Sequence, residues 1–197
     1  MPHTVANRHD ELRRQLEALH LDAMAQSFAE LALRAAKEGL SHEAYLYELV
    51  KLQRERREQR RIQRLLRESG LPCEKTFRTL ELDAFPATLR LQLERLKSGA
   101  FLKDSTTIVA IGKPGVGKSH ALAAVAYELI QQGHPVLWTA TSTLVQRLLA
   151  AKRDLRLPQE LSKLDRFACV FLDDIGYVQQ DREEMEVLFT FLAPRYS

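Results

Sequence analysis

Gly112-Lys-Pro-Gly-Val-Gly-Lys118-Ser119 fits the spacing G-x-x-x-x-G-K-[ST], which is the spacing of a loop that holds a chain of phosphates. The chemistry asks for these residue types. Gly112, Gly115 and Gly117 let backbone N–H groups curl around an anion, with Lys113, Pro114, Val116 and His120 completing the same stretch of backbone. Lys118 brings an ammonium to the outer phosphates, and Ser119 brings a hydroxyl that can ligate Mg²⁺. A helix opening at this point turns its positive end toward the same anion. Further along, the apolar run Ala168–Leu172 ends in Asp173-Asp174. This is the form of a Walker B element, in which the first carboxylate (Asp173) holds Mg²⁺ with Ser119 and the second (Asp174) orients or deprotonates an attacking water. A glycine turn without a ligand is the plain alternative for the loop, since its four fixed positions match by chance in roughly one chain of this length per hundred. The downstream carboxylates weigh against that alternative and point to a nucleoside triphosphate.

These residues need a scaffold. A β-prone run, Thr106–Ile111, leads into the loop, and an Ala/Leu-rich helix, His120–Ile130, leads out of it. Val136–Thr139 reads as a second strand, Leu144–Lys152 as a helix capped by Thr141 or Ser142, and a polar helical stretch around Pro158 precedes the strand Ala168–Leu172. Arg182–Leu192 reads as a last helix. Strands alternating with helices predict a parallel sheet with crossover helices, an α/β fold of the P-loop type. Upstream, Leu12, Leu16, Leu19, Met24, Phe28 and Leu31 predict a helix over 9–37, and a second runs from His42 to Glu68. The chain thus reads as a small all-α domain (1–69), a connector (70–104) and a nucleotide-binding core (105–197). In the connector Pro86 opens a helix, Ala87–Lys97, and Phe77, Leu82 and Phe85 can serve as core or as a platform for an adenine ring.

With 45% hydrophobic and 28% charged residues among 197, the composition is that of a soluble globular protein. No apolar run reaches membrane-span length, and the first residues lack the apolar core of a secretory signal. Cys73 and Cys169 stand far apart with no metal-ligand spacing, which fits a reducing cytoplasm. Net charge is +3, unevenly spread: residues 1–50 hold five Lys/Arg against eight Asp/Glu, whereas residues 51–67 hold eight against two. Within that basic segment Arg54, Arg57, Arg61 and Arg64 fall at i, i+3, i+7 and i+10, one face of a helix. Such a row can follow the phosphate backbone of duplex DNA, or it can be a solvated surface laced by pairs such as Arg54–Glu58. No aromatic residue is interleaved, so stacking on single strands has no support there.

With these residues in view, the chain resembles the IstB-like ATPases, helper proteins of transposition in the AAA+ class, and more distantly the DnaC-type helicase loaders. The resemblance rests on Leu16-x-x-Leu19-x-Leu21-x-x-Met24-Ala25, on Arg56-Arg-Glu-Gln-Arg-Arg61, on Gly112–His120 and on Phe171-Leu-Asp-Asp-Ile-Gly-Tyr177. It implies ATP and Mg²⁺ as cofactors, with Lys118, Asp173 and Asp174 in catalytic roles, and homo-oligomers that assemble on duplex DNA and present it to a partner transposase. A helicase loader would instead take single strands and a replicative helicase. A non-enzymatic reading is an ATP-controlled DNA-binding module, and a phosphotransferase is the outsider. The family pattern continues past Walker B into a fourth strand, placed between the first and the third, then a fifth strand, an arginine finger and a helical lid. The sequence stops at Ser197 where that fourth strand is due, so the expectation is an incomplete core that binds ATP with little or no hydrolysis.

Overall fold

Where the apolar spacing predicts one helix over 9–37, the computed structural model, which describes residues 5–104, 106–175 and 181–195, has two. Helix α1 (Val5–Ala18) ends in a turn at His20, whose φ is 56°, and α2 (Asp22–Glu38) follows. The break carries no glycine or proline; a residue distant in sequence makes it. Gln53, on α3 (His42–Ser69), is buried, and its side-chain oxygen accepts from the N–H groups of Ala23 (3.0 Å) and Met24 (3.3 Å). Its amide donates to the carbonyl of His20 (3.3 Å). Leu21, at the N-cap position, has no side chain able to satisfy those orphan amides, so Gln53 caps α2 from outside. Gln53→Leu leaves two half-buried donors without acceptors and is expected to cost about 2 kcal/mol locally. Amide exchange at Ala23 and Met24 reads this directly: protection should fall by at least about 10-fold, and unchanged protection would mean the cap carries no weight.

The chain divides into two compact units, Met1–Arg61 and Ile62–Ser197. The first has a small core of Phe28, Leu31 and Leu49, with Leu16, Met24, Tyr45 and Leu52 packed against it. The Tyr45 hydroxyl donates to the carbonyl of Phe28 (3.0 Å), and Arg60 pairs with Asp22, whose carboxyl the guanidinium holds below its ordinary range.

The second unit is built on a parallel pair of strands, β1 (Val136–Ala140) and β2 (Cys169–Asp173), in register from Val136 opposite Cys169 to Ala140 opposite Asp173. Alternate side chains divide the core, as period-2 strands must. Trp138, Cys169 and Phe171 face α5 (Lys118–Gln131), whose Ala123, Ala124, Val125, Ala126, Leu129 and Ile130 are buried there with Leu93 of α4 (Ala87–Lys97). Trp138 and Phe171 stack at 5.6 Å, and burial pushes the Cys169 thiol up to about 11. Leu137, Val170 and Leu172 face the other way, onto α6 (Thr141–Arg153), α7 (Leu157–Leu164) and α8 (Arg182–Leu192). With helices on both faces, the arrangement is α/β as the alternation of elements predicts. Phe77, Leu82 and Phe85 pack against the α5 cluster, as core. Gly70, just past α3, has φ 68°, and a Cβ there would lie 2.8 Å from the carbonyl oxygen of Trp138, a position open to glycine alone.

One expectation fails. Thr106–Ile111 is no strand: it joins no ladder, and Val109 and Ile111 are 69% and 91% exposed. β-branched composition favours an extended backbone, but a strand exists only where a neighbour pairs with it. Among the described residues β2 pairs with β1 alone, and no strand lies between β2 and this run. No helix among the described residues is long and apolar enough to cross a membrane.

Candidate functional site

Helix α5 begins at Lys118 because Gly117 before it takes φ 86°, and Gly115 takes φ 79°, conformations that L side chains avoid. The two turns roll the loop back over the helix end. The N–H groups of Gly115, Val116, Gly117, Lys118, Ser119 and His120 have no acceptor among the described residues. Four belong to the first turn of α5 or its cap, where an anion is the natural partner. The ring of Phe85 closes one side: a Cβ on Gly117 would sit 3.0 Å from its tip.

Lys118 reaches back across the loop and donates to the carbonyl oxygens of Gly112 and Lys113, each at 2.9 Å. Those carbonyls occupy the ammonium while the amides remain unspent. Residues 112–116 are exposed and 117–120 half-buried, so an anion has open access.

Asp173 ends β2 opposite this loop. Its Oδ1 accepts from the Ser119 hydroxyl at 2.8 Å and from the N–H of Asp174 at 3.1 Å. The backbone behind it is fixed by Thr141, which is fully buried and donates to the Asp173 carbonyl at 2.8 Å. The sequence suggests Thr141 or Ser142 as a helix cap; the hydroxyl of Thr141 is spent on β2 instead. The paired hydroxyl and carboxylate offer hard oxygen donors, which suits Mg²⁺. Among the described residues no set of three or more His, Cys, Asp and Glu could hold a metal unaided. Mg²⁺ characteristically takes one or two protein oxygens and completes its shell with phosphate and water, so this pair fits it.

The structure thus brings together Gly112–Ser119 and Asp173. Asp174 follows in the left-handed region, φ 57°, with its carboxylate exposed and in no hydrogen bond or ion pair among the described residues. Gly176 and Tyr177 of the Asp-Asp-x-Gly-Tyr motif lie outside the described residues. His120 contributes through its ring as well as its amide: Nε2 lies 3.1 Å from the hydroxyl of Thr79, which also meets the backbone of Glu74 and Thr76. Thr79 escapes the sequence reading, and Phe85 and Thr141 are singled out there for other roles, because each acts on a residue far away in sequence.

Arg54, Arg57, Arg61 and Arg64 all lie on α3 and all are exposed. The expected Arg54–Glu58 pair does not form; Glu58 meets Arg61 instead, at 3.7 Å.

Comparison with known proteins bears on the first of these features, the loop. The family model described as IstB-like ATP binding protein matches residues 14–197. An insertion-sequence ATP-binding protein of Sinorhizobium fredii is 36% identical over 195 residues, covering 98% of this chain and 65% of its own length. The IS21 ATP-binding protein of Pseudomonas aeruginosa is 30% identical over 186 residues, covering 94% and 70%. The IS5376 ATP-binding protein of Geobacillus stearothermophilus is 28% identical over 178 residues, covering 90% and 71%. The chain therefore spans 65 to 71% of the length of these relatives.

Proposed function

The chain belongs to the IstB-like ATP binding proteins, and from that premise we propose that it binds Mg²⁺–ATP at Gly112–His120 and duplex DNA along α3, as part of a helper protein of transposition. The observation that carries the nucleotide half is the set of six unspent amides at the start of α5 beside the 2.8 Å Ser119–Asp173 bond. Backbone N–H groups cradle the phosphates, and Lys118 exchanges two carbonyl partners for the outer phosphate oxygens. Ser119 and Asp173 hold the metal, which when bound neutralises charge on the outer phosphates. Asp174, exposed just past β2, is the group assigned to positioning water. Turnover, assembly with further copies and presentation of DNA to a transposase belong to the same proposal, as what the resemblance implies. Titration with Mg²⁺–ATP, with the Lys118 and Asp173 variants as controls, tests the nucleotide half.

For DNA, the row of exposed guanidinium groups on α3 favours duplex over single strands, because no aromatic side chain is interleaved to stack on bases. Replacing Arg54, Arg57, Arg61 and Arg64 together by Gln is expected to lower the slope of log affinity against log salt by about 3 to 4. Fluorescence anisotropy with a labelled duplex at several salt concentrations measures it. An unchanged slope would return the row to ordinary solvated surface, and a preference for single strands would favour the helicase-loader reading.

A further inference from the structure

The hydroxyl of Thr79 is crowded. It accepts from the N–H of Thr76 at 3.0 Å, and the carbonyl oxygens of Glu74 and Thr76 lie at 2.8 and 3.1 Å. A threonine hydroxyl has one proton to give and two lone pairs. The carbonyls can only accept, so the proton goes to them, and the Thr76 amide occupies one lone pair. The other lone pair faces the His120 ring, whose Nε2 is 3.1 Å away; the Thr76 hydroxyl, at 3.4 Å, is the more distant competitor. Nε2 therefore carries a hydrogen, and His120 donates to Thr79.

The two ends of this bond are held differently. Thr79 sits in a turn with its flanks in the core: Leu80 is buried, and Phe77 packs against the same cluster with the Lys97 ammonium 5.2 Å from its ring centre. The turn also closes on itself, the N–H of Lys75 donating to Pro72 at 3.0 Å and that of Thr79 to Thr76 at 3.1 Å. At the other end, residues 112–116 are exposed, and the N–H of His120 has no acceptor among the described residues. First-turn amides lack the i−4 carbonyls that hold the later turns of a helix, so what surrounds them sets their direction. The ring bond ties this free end to the fixed turn. Phe85, six residues past Thr79, meets the same stretch at Gly117, where a Cβ would lie 3.0 Å from its ring.

We propose that Thr79 is a positioning residue for the nucleotide: acting through the His120 ring, it holds the first-turn amides of α5 in the array that a phosphate chain accepts. The proposal rests on the reading of Gly112–His120 as a triphosphate site. An array ordered in advance loses less freedom when the ligand arrives, and the difference appears as affinity. One hydrogen bond in a partly exposed place is worth a factor of about 5, far less than the charge of Lys118. Thr79 need not touch the ligand.

The test is a double-mutant cycle on Mg²⁺–ATP affinity, measured by isothermal titration of the whole chain. Thr79→Val and His120→Asn should each weaken binding by about 5-fold. Combined, they should weaken it by about the same 5-fold and not by about 25-fold, because both remove one bond. Thr79→Val also disturbs the turn's own bonds, whereas the His120 variants leave those in place, so equal losses from the two singles trace the effect to the bond between them. Two conservative exchanges should keep most of the affinity. Thr79→Ser retains the hydroxyl, and His120→Gln brings an amide NH₂ to the place of Nε2, which the shorter asparagine does not reach. Single losses that multiply, a Ser or Gln variant as weak as Val or Asn, or variants that all bind as the wild type does would each overturn the role of Thr79 and leave the nucleotide site standing. A wild type that does not bind Mg²⁺–ATP would instead overturn the nucleotide reading, and this inference with it.

Discussion

Lys118→Ala is expected to lower the affinity for Mg²⁺–ATP by at least about 100-fold while leaving the fold intact. The ammonium is a single charge aimed at the outer phosphates, and opposite charges at 4 Å attract by about 4 kcal/mol at the effective dielectric of a protein surface. Part of that is returned, because Lys118 gives up its 2.9 Å bonds to the carbonyls of Gly112 and Lys113 when it turns to the ligand. About 3 kcal/mol remains, which is a factor of about 100. The fold does not depend on the side chain, since the buried face of α5 is made by Ala121, Ala123, Val125, Leu129 and their neighbours. Isothermal titration of wild type and variant, alongside circular dichroism, measures both halves. Unchanged affinity would remove Gly112–Ser119 from the nucleotide site.

Asp173→Asn should act differently, separating metal from phosphate. The amide oxygen of asparagine can still accept from the Ser119 hydroxyl and the Asp174 N–H, as Oδ1 does now at 2.8 and 3.1 Å, so local geometry survives. What is lost is the negative charge. Without Mg²⁺, ATP should bind the variant as tightly as wild type or more tightly, one repulsive carboxylate having gone. With Mg²⁺, the tightening seen in wild type should shrink by about 10-fold or more. Titrations with and without the metal decide it, and an equal response to Mg²⁺ in both proteins would place the ion elsewhere.

Much of this site was legible because each half is a local pattern. Gly112–Ser119 is contiguous, and the apolar run ending at Asp173 announces a buried strand that closes on a carboxylate. Their meeting follows from the parallel α/β order rather than from either pattern alone. The helices Ala87–Lys97 and Arg182–Leu192 agree with their sequence boundaries, each with its signal at hand: Pro86 before one, and before the other Asp181, whose side chain accepts from the N–H of Glu183. What escaped was set at a distance. The turn at His20 depends on Gln53, the backbone of Asp173 on Thr141, and the ring of His120 on Thr79, and no local pattern carries those dependencies. Thr106–Ile111 failed for the opposite reason. Its composition satisfies every local requirement of a strand, and pairing is the one requirement that is not local.

That unpaired run has a consequence beyond the architecture. Thr-Thr-Ile-Val-Ala-Ile is six residues of high β-propensity without charge, proline or glycine, and its largest side chains stand in water. Segments of this kind stack on copies of themselves into cross-β ladders. The run is therefore expected to make the chain's self-association depend on its concentration. Val109, 69% exposed and a member of neither buried cluster of the second unit, is where a single charge would interrupt the ladder without disturbing the packed core.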